Sequence, residues 1–127
     1  MAKMASKLTA QELAEYRRGA RARQEQEQRN LARRRERAWV LARRVATLLR
    51  EQYGVTRVVV FGSLAQKGRF TRWSDVDIAA WGIRPEDTFQ AMGAVMDLDS
   101  EIQVNLLDVE TCRPSLLAAI EREGIDL

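Results

Sequence analysis

Between residues 38 and 52 the positions Ala38, Leu41, Ala42, Val45, Leu48, Leu49 and Gln52 recur at intervals of three and four, with Arg43, Arg44 and Arg50 between them. That is the spacing of a helix burying one face. Gly54 follows where a helix cap is needed, and Arg57-Val58-Val59-Val60-Phe61 is a short β-branched run suited to a buried strand. Apolar residues return from Val76 to Ala80 or Trp81, which predicts a second strand. Gly82 to Pro85 turns the chain, and Pro85 sits at the first position of a helix reaching about Met96, with Glu86 and Asp87 near its positive end. A third strand is expected over Glu101 to Val109, and a last helix over Pro114 to Glu123, stopped by Gly124. The order predicts an α/β (α+β) fold, a small mixed sheet with flanking helices.

The segment before Ala38 follows another pattern. Thr9-Ala10-Gln11-Glu12 has the spacing of a capping box, so a helix should begin there. Beyond it, Leu13, Tyr16, Ala20 and Leu31 are too sparse to form a core stripe, and Gly19 weakens the middle by about 1 kcal/mol relative to Ala, which leaves room for a break. Charge divides at the same place. Residues 1–37 hold 11 Lys and Arg against 5 Glu, a net +6, while residues 38–127 carry a net −3. We therefore distinguish a basic helical arm, 1–37, from a domain, 38–127. Three readings of the arm stay open: docking onto a partner helix or a second copy of the chain, contact with nucleic acid, or a solvated helix. The five glutamates weaken the nucleic-acid reading.

With 127 residues, 46% of them hydrophobic, the chain suits one small core. It has no apolar run long enough to span a membrane and no apolar signal segment at its start, so a cytoplasmic protein is expected. The absence of histidine excludes the commonest general base and Ser/His/Asp catalysis. The single cysteine, Cys112, reads as a partly buried small apolar residue. Any chemistry must run on carboxylates.

The candidate chemistry lies in FGSLAQKGRFTRWSDVDIAAWG, which begins at Phe61. If Gly62-Ser63 ends one strand and Asp75-Val76-Asp77 begins the next, the period of two places both acids on one face, with Val76 and Ile78 on the other. Two carboxylates on one face repel unless a cation neutralises them, and oxygen ligands suit Mg²⁺, which keeps water and binds phosphates. Gly62 lets the backbone approach an anion, and Ser63 offers a hydroxyl and an amide. In the spacer, Lys67, Arg69 and Arg72 read either as a solvated basic loop or as contacts for a polyphosphate, and Phe70 and Trp73 either as core or lid packing, the commoner role beside a strand, or as a stacking surface for a base.

These residues resemble the minimal nucleotidyltransferases of the polymerase-beta superfamily, whose signature is Gly-Ser, a spacer and Asp-x-Asp. The match is best at VVVFGS and WSDVDIA and spans roughly Ala38 to Leu127; the spacer, Leu64 to Ser74, is one residue longer than the family's usual one. The resemblance implies that Asp75 and Asp77 hold Mg²⁺ and that Gly62, Ser63, Lys67 and Ser74 meet the nucleotide, with ATP as substrate. The family reaction uses two Mg²⁺ ions about an in-line attack on the α-phosphate. Its third carboxylate falls, by alignment to VNLLDV, at Asn105. A neutral amide there cannot act as a base and binds a second metal weakly. Asp108 is the nearest acid but points to the opposite face, whereas Glu101 shares the face of Asn105.

Larger relatives add a helical domain for the acceptor, for which this chain has no residues. The resemblance is therefore to the antitoxin of HEPN/MNT toxin-antitoxin pairs, in which AMP passes from ATP to a tyrosine of a HEPN ribonuclease toxin. Two functions follow: AMP transfer to such a partner, or a catalytically weak module that neutralises the toxin by binding alone. Tyr16, in basic surroundings, is a candidate for self-modification.

Overall fold

The computed structural model describes residues 8–127, so residues 1–7 of the expected arm lie outside the described residues. Helix α1 is Ala10–Tyr53. Thr9 Oγ1 accepts a hydrogen bond from the Glu12 amide at 3.0 Å, as the capping spacing requires. The helix runs through Gly19 without a break; the alanines, arginines, glutamines and glutamates around it have high enough helix propensity to carry one glycine. Gly54, with φ +63°, adopts the left-handed conformation that ends the helix.

The chain divides into two units, Met1–Arg33 and Arg34–Leu127. Among the described residues of the first unit none is buried. Its recorded side-chain contacts are local and polar: Gln26 with Asn30 at 2.9 Å, and Arg29 with Gln26 at 2.8 Å.

In the second unit, β1 (Arg57–Phe61) leads into a 3-10 turn at Gly62–Leu64 and, after the spacer, β2 (Val76–Trp81). A 3-10 turn at Pro85–Asp87 opens α2 (Thr88–Met96), so the expected helix starts as a tighter coil. Then follow β3 (Val104–Asp108), a 3-10 turn at Val109–Thr111, α3 (Pro114–Glu123) and β4 (Ile125–Asp126). The sheet order is β3-β2-β1-β4, with β1 antiparallel to β2 and β4 and with β2 parallel to β3. A parallel pair needs a crossover, and α2 supplies it.

Burial explains the composition of each strand. The central β1 and β2 are covered on both faces, and Val58, Val59, Val60, Ile78, Ala79 and Ala80 are all at most 1% exposed. Each buried Val or Ile stabilises the fold by about 1.5–3 kcal/mol. One face packs Val59 and Ala79 with Val109 and Ile120, joined by Phe61, Trp81, Leu107, Cys112, Leu116 and Leu117. This is the α3 layer, and it includes the half-buried Cys112. On the opposite face Val58, Val60, Val76 and Ile78 are buried, as are Leu41, Val45 and Leu49 of α1 and Ala91 and Val95 of α2. Those helices supply the second layer.

Two boundaries differ from expectation. β3 begins only at Val104, because Asp99 Oδ1 accepts from the amides of Glu101 at 2.8 Å and Ile102 at 3.0 Å and folds that segment into a turn. β4 was not expected, since two residues carry no periodicity. It forms because Gly124 lets the chain fold back on β1: a side chain there would collide with Val59 and the Ile120 carbonyl. Arg57 then ties the returning end down, with Nε 2.8 Å from Asp126 Oδ1, Nη1 2.6 Å from Glu121 Oε1 and its guanidinium 4.4 Å from the Trp81 ring centre. Gly124→Ala is expected to destabilise the protein by about 1–3 kcal/mol by overpacking, read as a lower urea midpoint; an unchanged midpoint would contradict this account of the return.

Candidate active site

The site is built around β2, the strand with neighbours on both sides. Asp77 pairs with Phe61 of β1 and with Asn105 of β3, so its side chain shares a face with the end of one strand and the start of the other. Gly62 comes next after Phe61, at φ +71°. A Cβ at Gly62 would collide with the Asp77 carboxylate and lie 3.3 Å from its Cγ. Glycine is required twice, by the left-handed backbone and by the acid. Ser63 lies in the same turn, in which the carbonyls of Gly62 and Ser63 accept from the amides of Ala65 and Gln66.

Asp75 is held by its chain neighbours. On one side the Val76 amide donates to the Gln103 carbonyl at 2.9 Å. On the other, Ser74 Oγ accepts from the Thr71 amide at 2.9 Å, and the Ser74 carbonyl accepts from Arg34 Nη2 at 3.0 Å. Arg34 is half-buried, and its Nε is buried without a hydrogen-bond partner among the described residues. Ser74, expected at the nucleotide, thus has its hydroxyl engaged in closing the spacer.

Asn105 completes the group. Its Nδ2 donates to Asp77 Oδ1 at 3.1 Å and reaches Asp75 Oδ2 at 3.4 Å, while its Oδ1 accepts from Gln103 Nε2 at 2.9 Å. The alignment that placed Asn105 beside the two acids agrees with the strand register. Direct contacts join Gly62, Asp75, Asp77 and Asn105, and Ser63 and Ser74 are their chain neighbours. Lys67 is exposed on the spacer and makes no hydrogen bond or ion pair with this group among the described residues. Phe70 is 5% exposed and belongs to the core, so it cannot stack on a ligand. Trp73 is 77% exposed, with the Arg72 guanidinium 4.6 Å from its ring centre.

Neither acid considered as a substitute for the missing carboxylate reaches the site. Asp108 pairs with Ala80 on the opposite face and is 5% exposed, its Oδ1 accepting from the Glu110 amide at 3.0 Å. Glu101, expected on the face of Asn105, is outside β3 and pairs with Arg37 at 2.8 Å. No group of three His, Cys, Asp or Glu side chains placed to hold a metal ion exists among the described residues. The donors that face a hard cation are the two carboxylates of Asp75 and Asp77, oxygen ligands of the kind Mg²⁺ takes, with water and phosphate able to complete its shell; Asn105 presents its NH₂ to them.

Residues 43–127 match the family Polymerase beta, Nucleotidyltransferase. The chain belongs to that family. No curated protein matches it. Among solved structures, the chain is similar to the toxin-antitoxin MntA-HepT, at 16% identity and TM-score 0.52, over 69% of each chain. A toxin-antitoxin with AMP-PNP is 22% identical with TM-score 0.55, over 67% of this chain and 70% of that one. A complex of tri-AMPylated Shewanella oneidensis HEPN toxin with MNT antitoxin is 20% identical with TM-score 0.52, over 70% of both. At such identities these likenesses establish the nucleotidyltransferase fold.

Arg34 and Gln103 were not singled out in the sequence. Gln103 carries a signal, the period of two from Asn105, while Arg34 is one arginine among many and only its contact distinguishes it. Two expectations follow. Gly62→Ala should destabilise the fold by about 1–2 kcal/mol through the left-handed backbone alone, and displacement of Asp77 should add to this; a thermal midpoint equal to that of the natural chain would refute the close approach. The second concerns Asp99, whose carboxyl is raised by burial but lowered more by the Glu101 and Ile102 amides and by Arg37, for a net lowering. Ionised Asp99 therefore stabilises the fold above its unfolded value of about 3.9, and this is lost as pH falls through the lower folded value. The stability gap between the natural chain and Asp99→Asn should shrink from pH 5 to pH 2; a constant gap would refute it.

Proposed function

We propose that this protein is an antitoxin of the MNT type, and that it silences a HEPN ribonuclease partner by moving AMP from ATP onto a partner tyrosine. The observation that carries this reading is the placement of Asp75 and Asp77 on one sheet face, with Gly62 of the Gly-Ser turn against Asp77, in a fold similar to toxin-antitoxin complexes. Gly62 and Ser63 meet the triphosphate, Asp75 and Asp77 hold Mg²⁺, Lys67 adds positive charge at the phosphates, and Ser74 sets the approach to Asp75. Bound Mg²⁺ neutralises phosphate charge. The tyrosine oxygen bonds to the α-phosphorus as the bond to the bridging oxygen breaks. Pyrophosphate leaves with the electron pair, and the phenolic proton passes to water, since the chain has no histidine and Asn105 cannot accept it.

A second reading rests on one observation, the amide of Asn105 lying against both acids in place of a carboxylate. On this reading the domain keeps its fold and neutralises the toxin by occlusion. The exposed helix of residues 10–33 serves either reading as a contact for the partner, or for a second copy of the chain.

Mass spectrometry of a HEPN partner after incubation with this protein, ATP and Mg²⁺ separates the two. AMP transfer predicts a mass gain of one or more AMP units, reduced at least about 10²-fold in Asp75→Ala/Asp77→Ala. No gain with the natural chain, but a gain with Asn105→Asp, would replace transfer by occlusion.

A further inference from the structure

The amides of Asn105 and Gln103 form an ordered chain that ends on the two acids: Gln103 Nε2 to Asn105 Oδ1 at 2.9 Å, then Asn105 Nδ2 to Asp77 Oδ1 at 3.1 Å and Asp75 Oδ2 at 3.4 Å. Chemistry fixes its direction. Ionised carboxylates only accept, so Asn105 must turn its NH₂ toward them, which leaves its oxygen to Gln103 and obliges Gln103 to donate. A cation between Asp75 and Asp77 reverses every preference. An NH₂ group facing it is repelled, whereas an amide oxygen is a good ligand for a hard cation.

We infer that Asn105 and Gln103 are a cation-responsive amide pair, in which binding of Mg²⁺ at Asp75 and Asp77 turns both amides over, so that Asn105 Oδ1 becomes a ligand and Asn105 Nδ2 donates to Gln103 Oε1. The inference rests on the cation role proposed for Asp75 and Asp77. Both amide side chains are exposed, and terminal amide torsions are broad and roughly two-fold, so no packed neighbour opposes the rotation. Both states satisfy Asn105 fully. Without the cation its N–H groups relieve the repulsion between the acids; with the cation its oxygen adds to their donor set. A third carboxylate could do only the second. Asn105 is thus a ligand suited to a site that stands empty part of the time, and Gln103, just before β3, is the residue that keeps each orientation.

The test is nuclear magnetic resonance of the full chain, with the side-chain NH₂ groups of Asn105 and Gln103 assigned and Mg²⁺ added alone. The expected result is that nuclear Overhauser contacts from the Asn105 NH₂ protons move from the Asp77 β-protons to the Gln103 γ-protons as the Asp75 and Asp77 signals shift. Shifts at both acids with the Asn105 contacts unmoved would overturn the amide turnover and leave the cation site standing. No shift at either acid would overturn both. Calorimetry provides a second check, because Asn105→Ala separates a ligand from a blocking group. As a ligand, Asn105 gives Mg²⁺ binding about tenfold weaker in the variant; tighter binding in Asn105→Ala would mean that the amide only competes with the cation, and would overturn the proposal.

Discussion

The Asp77 carboxylate fills the space that a side chain at position 62 would need, and this close approach couples the two halves of the Gly-Ser and Asp-x-Asp motif. Neither half has that geometry alone. The antiparallel register that pairs Phe61 with Asp77 brings the turn after β1 onto the start of β2, and the left-handed backbone of Gly62 bends the chain away at once. The eleven residues from Leu64 to Ser74 then only have to return the chain. A spacer one residue longer than usual is tolerated because both of its ends are fixed by other contacts, and extra loop length costs little conformational entropy.

Placing the site on β2 also sets what each neighbour contributes. β1 and β2 are buried on both faces, and their apolar residues hold the register. β3 is an edge strand with less to bury, and its exposed side can carry a polar residue such as Asn105, with Gln103 exposed just before it. The parallel pairing of Asp77 with Asn105 places an amide where a carboxylate would make a third like charge. Nothing in the remainder of the sheet supplies that charge. Asp108 is held on the far face as the cap of a turn, and Glu101 is drawn off by Arg37.

The helix that provides the apolar face also holds the approaches to the site. Arg34 binds the carbonyl just before Asp75, and Arg37 binds Asp99 and Glu101 in the turn just before β3. One turn of α1 thus braces the loops leading into both polar strand starts. Similar pairs on an open surface contribute little, but Asp99 is almost enclosed, its side chain 8% exposed, and also accepts two backbone amides. At the other end of the sheet Arg57 does the same for the returning chain, spanning Glu121, Asp126 and Trp81.

Much of this was determined by the sequence alone. Helix α1 through its core stripe, strands β1 and β2, the helix from Pro114 to Glu123, and the common facing of Asp75 and Asp77 all follow from periodicity and from turn residues, which act over a few neighbours, whereas Asn105 joined them only through the family resemblance. The tertiary structure decided what depends on contacts between distant residues. The short β4 exists because Gly124 clears Val59, and β3 starts late because Asp99 captures two amides. Gly19 stays helical because the residues on either side outweigh it. Phe70 and Trp73 look alike in sequence, yet one is in the core and the other in solvent. Arg34 was hidden for the same reason: in a segment crowded with arginines, pattern shows charge, and only the packed fold shows which guanidinium meets the carbonyl beside Asp75.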